Sequence, residues 1–215
     1  MINTTRTGAL AALTLVFAAC TPAEETAASD RTQVTTLAGP LQGVEIDGVY
    51  EFRGVPYARP PVGPLRFQAP QSLETSDQLT LATQYGQPCV QMRAGAGAAS
   101  YPPPVQAAMT EAFAPPENTN PAGEEDCLVL NVYTQATGAD ATANRPVMVW
   151  LHGGGFSYGQ AALNIYQGHN LAKNHDVVFV GVNHRLNVFG FLGLDTAGVP
   201  GFEGSANAGM LDIVA

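Results

Sequence analysis

Two stretches of the chain, 147–151 and 177–182, are continuously apolar and lack alternating polar positions. Such runs are typical of strands in a parallel sheet that is covered on both faces. The segment between them, 164–174, predicts a helix. Strand, helix and strand form a βαβ crossover, so the two apolar strands are expected to be parallel neighbours or near neighbours.

Other patterns add elements on both sides of this unit. Short apolar runs flank Asp47-Gly48, which is a strong signal for a two-residue hairpin turn. A further strand is predicted at 128–133, a short helix near 105–113, and another helix from Asn207. The proline-rich segment 53–67 is unsuited to a helix or a central strand and predicts an ordered surface wrap or a linker. The fold class is therefore α/β.

Charge and length narrow the function. The 215 residues carry 9 Lys and Arg against 18 Asp and Glu, a formal net charge of −9. Nucleic-acid binding rewards clustered basic side chains, and no Lys/Arg stripe is present, so a nucleic-acid partner is not expected. The length is sufficient for one domain with a core.

The N-terminus has the pattern of an export signal. Arg6 precedes an apolar stretch, 9–19, that ends in Ala-Ala before Cys20, as in the lipobox of bacterial lipoproteins. Phe17 departs from that pattern. We expect a signal peptide at 1–19 and a flexible tether at 20–32. We expect the protein to be exported. Its final location, whether secreted, periplasmic or tethered to the outer membrane through a lipid on Cys20, stays open.

The chain has three cysteines. If Cys20 takes a lipid, Cys89 and Cys127 remain as a pair, and a disulfide between them would stabilise the fold by about 4 kcal/mol through loop-closure entropy. The alternative is two unpaired buried thiols.

The first apolar strand runs directly into Gly153-Gly154-Gly155. Glycines in this place let the backbone turn sharply and present bare N–H groups to a ligand atom. Acyl-transfer enzymes build oxyanion holes from such donors. The alternative is a glycine-rich turn without chemistry.

Several motifs in one order resemble those of the type-B carboxylesterase (cholinesterase-like) family of the α/β-hydrolase fold. They lie at 52–67, 125–133, 146–156, 177–194 and 207–212. The resemblance implies antiparallel N-terminal strands leading into a mostly parallel sheet. It covers 33–215, which would be the N-terminal part of an incomplete α/β-hydrolase domain.

The resemblance also implies roles for particular residues. Gly154 and Gly155 would donate N–H groups to the oxyanion of a small-molecule carboxylic ester, and no metal or cofactor is implied. His152 would support the loop and not act as the catalytic base. Cys89–Cys127 would be the family's first disulfide, and the loop that it closes would lie over the mouth of the active site. Arg66 and Glu125 would form a buried ion pair.

The serine of the family's Ser-His-Glu/Asp triad sits on a G-x-S-x-G elbow after the helix that here begins at Asn207. We therefore expect the nucleophile, acid and base to lie beyond Ala215 and the 215-residue chain to be inactive. Ser157 fits the elbow pattern but follows its strand too late. His169, His175 and His184 have no acid partner identifiable in the sequence. The alternative function is a non-catalytic cholinesterase-like binding or adhesion module.

Overall fold

The computed structural model describes residues 31–92, 102–137 and 144–215, so the predicted signal peptide and Cys20 lie outside the described residues. The strands are β1 Gln33–Thr36, β2 Gly39–Gln42, β3 Val44–Ile46, β4 Val49–Pro56, β5 Thr80–Leu81, β6 Val129–Thr134, β7 Val147–Leu151 and β8 Val178–Val182. The α-helices are α1 Pro103–Ala112, α2 His169–His175, α3 Asn187–Phe191 and α4 Ala208–Val214.

Two sheets organise the described part of the chain. A small sheet has the order β1-β2-β5, and a five-stranded sheet has the order β3-β4-β6-β8-β7. In the larger sheet β3, β4, β6 and β8 are successively antiparallel, and β7 joins β8 in parallel. The small sheet was not predicted, because β2 contains a proline and β1 is largely polar and exposed.

The predicted hairpin joins β3 to β4, with Ile46 opposite Val49. Asp47 and Gly48 both have positive φ, at 48° and 79°. Positive φ at both central residues is the requirement of a type I′ turn, which suits the twist of the paired strands. The Asp-Gly dipeptide therefore encodes this connection locally.

The interpretation of 53–67 is corrected at its start. β4 continues to Pro56 and lies inside the sheet between β3 and β6. The pairing register shifts between Phe52 and Val55, and Gly54 within this irregularity has a φ of 66°. The Asn131 side chain accepts the Gly54 N–H at 2.9 Å, which replaces a lost ladder bond. A bulge thus lets the strand include residues that the proline content argued against.

The predicted parallel pair forms in register, with Val147 opposite Val178 and Leu151 opposite Val182. The expectation that the first strand is covered on both faces is wrong for the described residues. β7 is the edge strand, and its side chains are 38–61% exposed, from Trp150 to Val147. The strand is apolar enough for a buried position, but no described element lies against it on its outer side.

The helices follow the predictions in part. α1 and α4 lie where they were expected. The single helix predicted at 164–174 is instead a 3₁₀ turn, Asn164–Tyr166, followed by α2. The break lies at Gln167, whose backbone is extended, and Gly168 after it lies against the Phe179 ring, where an added Cβ would be 2.2 Å from a ring carbon. α3 lies within 177–194, where only the strand at 177–182 was predicted.

The core lies between the large sheet and its covering elements. Ala172 of α2 packs with Val49, Tyr133 and Phe179, and the two rings meet edge to face at 6.0 Å. A second cluster, which includes Leu41 and Phe52, joins the two sheets. These contacts anchor β8 in the core through Phe179, and β8 in turn positions its partner β7 and the loop that follows β7.

Candidate active site

The glycine loop begins where β7 ends, beside the end of β8. His152 follows β7 and His184 follows β8, and because the strands are parallel and in register the two imidazoles meet. Their rings stack at 4.8 Å with an interplanar angle of 7°. His152 Nδ1 also lies 3.0 Å from the carbonyl oxygen of Gly153, within the loop itself. The contacts of His152 are therefore with the loop backbone and a neighbouring ring.

Burial keeps these imidazoles neutral. Desolvation lowers the pKa of His152 to about 4, against a smaller opposing effect of the Gly153 carbonyl, and the nearby His184 lowers it further. Desolvation likewise lowers the pKa of His184. A neutral ring that donates from Nδ1 to a carbonyl can hold the loop without adding charge to it.

Gly154 adopts a conformation that only glycine tolerates. Its φ is 127°, and a Cβ there would lie 1.8 Å from the Tyr158 carbonyl oxygen. Gly155 has a φ of 59°, with open space where a Cβ would stand. The turn closes with the Ser157 N–H donating to the Gly154 carbonyl at 3.1 Å.

The N–H groups of Gly154 and Gly155 donate to no acceptor within residues 31–92, 102–137 and 144–215. Most backbone donors in folded proteins are paired with protein or water. Two adjacent free donors on a rigid turn can therefore bind an incoming oxygen.

A cavity of about 440 Å³ opens beside the loop. Its size is within the range of small-molecule sites. The wall combines loop residues, aromatic rings and segments from the region between the two cysteines: Gln91, Phe113, Pro115, Pro121, Gly153, Gly154, Tyr158, Gly159, Gln160, Leu163 and Tyr166.

The predicted disulfide Cys89–Cys127 is confirmed, with the Cα atoms 4.9 Å apart and both residues buried. Its loop reaches the cavity through Gln91. The Gln91 amide accepts the Gly159 N–H at 2.7 Å and donates to the Gly159 carbonyl at 3.1 Å. This two-point contact ties the disulfide loop to the end of the glycine loop.

Ser157 has none of the surroundings of a nucleophile. It is exposed, and its hydroxyl donates to the Gly155 carbonyl at 3.3 Å. No histidine in the described part of the chain contacts it, and no helix follows until the 3₁₀ turn at Asn164. The geometry agrees with the prediction that its G-x-S-x-G pattern is coincidental.

The ion pair of Arg66 and Glu125 forms, with Nε and Nη2 each donating to a carboxylate oxygen at 2.6 Å. It is not buried, because the Arg66 side chain is 43% exposed. It links the segment after β4 to the residues that precede β6.

A buried ion pair beside the site was missed. Arg185 donates Nε and Nη2 to Asp212 of α4 at 2.8 and 2.6 Å, and its own N–H donates to the same carboxylate at 3.0 Å. The two side chains are 3% and 0% exposed. They are 27 residues apart, so no periodicity connects them, and only the packing of α4 against α3 and the segment after β8 brings them together.

His169 has an acid partner that could not be identified in the sequence. Its Nδ1 lies 2.8 Å from a carboxylate oxygen of Glu51, whose other oxygen accepts from Arg53 at 2.8 and 2.6 Å. Glu51 is 2% exposed. Glu51 lies between Tyr50 and Phe52 in β4, and nothing in that local sequence indicates that α2 covers it. This cluster lies under α2 and does not line the cavity.

Comparisons with known proteins identify the family of the chain. The model of the carboxylesterase family matches residues 30–215. The chain is 36% identical to the para-nitrobenzyl esterase of Bacillus subtilis over 83% of its own length, and 36% identical to acetylcholinesterase-1 of Trittame loki over 78%. A crystal structure of a Geobacillus stearothermophilus carboxylesterase matches 86% of the chain at 34% identity with a TM-score of 0.68.

The chain spans about a third of the length of these proteins: 32% of the Bacillus esterase, 28% of the Trittame enzyme and 33% of the Geobacillus structure. The mixed sheets of the described residues are consistent with an incomplete α/β-hydrolase. The chain belongs to the carboxylesterase family.

Proposed function

We propose that these residues are the N-terminal third of a carboxylic-ester hydrolase that uses a serine triad. The observation that carries the proposal is the pair of free N–H groups at Gly154 and Gly155, held by positive φ on a rigid turn at the edge of a cavity. Donors fixed in advance stabilise a developing oxyanion at no cost of reorganisation.

In the proposed reaction a serine oxygen attacks the ester carbonyl and its π electrons move to the carbonyl oxygen. The N–H groups of Gly154 and Gly155 donate to that oxyanion, together with a third N–H from the residue after the nucleophile. The triad histidine takes the serine proton during the attack and gives it to the departing oxygen, which leaves as the alcohol. Water then attacks the acyl-enzyme in the same way, which releases the carboxylic acid and regenerates the serine.

The described residues contain no serine with a histidine partner, so we assign the nucleophile, base and acid to the part of the family's fold that this span does not include. The exposed apolar side chains of β7 support this assignment. A strand of this composition is typical of a covered parallel sheet. We infer that further strands and helices of the same polypeptide cover it.

The surrounding contacts have supporting roles in this proposal. The Cys89–Cys127 loop forms one wall of the site through Gln91, and the Arg66–Glu125 pair holds the segment after β4. The disulfide also supports export, since such bonds persist in oxidising compartments. In the described part of the chain no helix is long and apolar enough to cross a membrane. Whether Cys20 carries a lipid stays a prediction.

The test begins with the complete reading frame that contains these codons. We expect a Gly-x-Ser-x-Gly elbow downstream of Ala215, and we expect its product to hydrolyse p-nitrophenyl acetate. Replacing the elbow serine with alanine should lower kcat by about 10⁶. Another residue at the serine position would favour the non-catalytic binding module.

The 1–215 chain is the matched control and should be inactive. Turnover by this chain that is abolished by Ser157→Ala would contradict the assignment of the nucleophile.

A further inference from the structure

One side chain of the cavity wall has no partner. Gln160 is 5% exposed, and its Oε1 is buried without a hydrogen bond among the described residues. Gln160 lines the same cavity as Gly153 and Gly154. Buried side-chain amides are nearly always hydrogen-bonded, so an unpartnered one at a ligand-sized cavity indicates a missing partner.

The backbone around Gln160 is fixed on both sides. Gly159 is held by both ends of the Gln91 amide, and the Ala161 N–H donates to the Asn183 side chain at 2.8 Å. Asn183 is in turn held by the Gln87 carbonyl at 3.1 Å. The main chain therefore fixes the position of Gln160, while its buried amide oxygen has no hydrogen-bond partner among the described residues.

The rest of the wall is mainly apolar. Phe113 meets Tyr166 edge to face at 6.3 Å, and Leu163 lies in the same wall. A pocket of this kind holds a ligand through its apolar surface and orients it through a few polar groups. Gln160 and the glycine N–H groups are polar groups of that kind at this cavity.

We propose that Gln160 is a specificity-determining residue. Its amide hydrogen-bonds a polar group on the part of the ester that occupies this cavity. This proposal rests on the proposed ester hydrolysis. A carboxamide offers both donors and an acceptor, and rotation about its last torsion presents either one. The substrate class is therefore esters that carry a carbonyl, ether, hydroxyl or amide group beyond the scissile bond. A purely alkyl ester leaves the amide unpaired.

The test uses the product of the complete reading frame and two ester pairs of equal chain length. The acyl pair is p-nitrophenyl 4-oxopentanoate and p-nitrophenyl pentanoate, and the alcohol pair is 2-methoxyethyl butanoate and butyl butanoate. In Gln160→Met, which is similar in shape, we expect the ratio of kcat/KM for polar over apolar ester to fall about 10-fold in one pair. In Gln160→Asn, whose shorter side chain places the amide farther from the ligand, the ratio of kcat/KM should also fall.

Gln135→Met is the matched control, because Gln135 is exposed and donates to the Lys173 carbonyl away from the cavity. It should keep both ratios. Ratios that change less than twofold in Gln160→Met for both pairs would overturn the inference. A lower melting temperature of Gln160→Met with unchanged ratios would also overturn it, because the amide would then have a partner within the protein.

If the protein hydrolyses none of the four esters, their affinities are compared by calorimetry. A preference for the polar member that Gln160→Met abolishes would support the role of Gln160 and reject only the hydrolytic function. Equal affinities for both members of both pairs would reject the role of Gln160.

Discussion

Replacing Gly154 with alanine tests the proposed oxyanion loop most directly. The new Cβ would lie 1.8 Å from the Tyr158 carbonyl oxygen, whereas real Cβ contacts essentially never fall below 3.0 Å. The loop must therefore move by about 1.2 Å at this point. The φ of 127° adds strain, since residues with a Cβ rarely adopt it.

A displacement of this size removes the N–H donors from their positions. Losing one oxyanion donor lowers kcat by about 10²–10³, which corresponds to about 2.7–4 kcal/mol of transition-state stabilisation. We expect a fall of this size in kcat for p-nitrophenyl acetate, with KM changed much less, because the donors act mainly on the transition state.

Two variants separate displacement from backbone strain. Gly155→Ala has a similar need for positive φ but meets no atom within 4 Å, so it should cost about 1 kcal/mol of stability and leave kcat within about tenfold. Gly198→Ala, at φ 75° in an exposed turn with equal free space, should leave kcat unchanged. The assay is initial-rate kinetics with the melting temperature measured in parallel. A Gly154→Ala enzyme that keeps a third or more of wild-type kcat would refute the reasoning.

Three further predictions concern stability, measured by urea unfolding of the product of the complete reading frame. Asp212→Ala should lower the unfolding free energy by about 3–5 kcal/mol because it leaves the Arg185 charge buried and unpaired, and a loss below 1 kcal/mol would contradict that. Replacing both Cys89 and Cys127 with serine should cost about 4 kcal/mol, and dithiothreitol should lower the wild-type stability alone. Folding lowers the pKa of His152 from 6.5 to about 4, so between pH 4 and pH 6.5 the unfolded state binds more protons than the folded state. The unfolding free energy should therefore rise by about 3 kcal/mol from pH 4 to pH 6.5. In His152→Tyr most of that rise should disappear, and an unchanged pH dependence would show that His152 does not cause it.

Much of the fold could be predicted because its signals are local. The Asp47-Gly48 turn requires only the φ angles that this dipeptide favours. Apolar runs identify β7 and β8, and their parallel pairing follows from the length of the connection. The glycine triplet was recognised because a sharp turn directly after an apolar strand needs residues without a Cβ, as the contact at Gly154 illustrates.

The features that could not be predicted depend on partners distant in the chain. Nothing in the sequence near Glu51 indicates that His169, which is 118 residues away, will bind its carboxylate. The irregularity that admits Gly54 to β4 is stabilised by Asn131, which is 77 residues away. Hydrogen bonds of this kind depend on which surfaces meet, and single-sequence periodicity carries no information about that.

The sequence by itself determined the family, the glycine loop and the cysteine pair, because each is written in contiguous motifs or in a count of residues. Tertiary structure alone decided that β7 is an edge strand with an exposed face, that Arg185 meets Asp212, and that Gln160 lines a cavity without a partner. The physical reason is that burial and pairing belong to surfaces, which form only when segments far apart in the chain pack together.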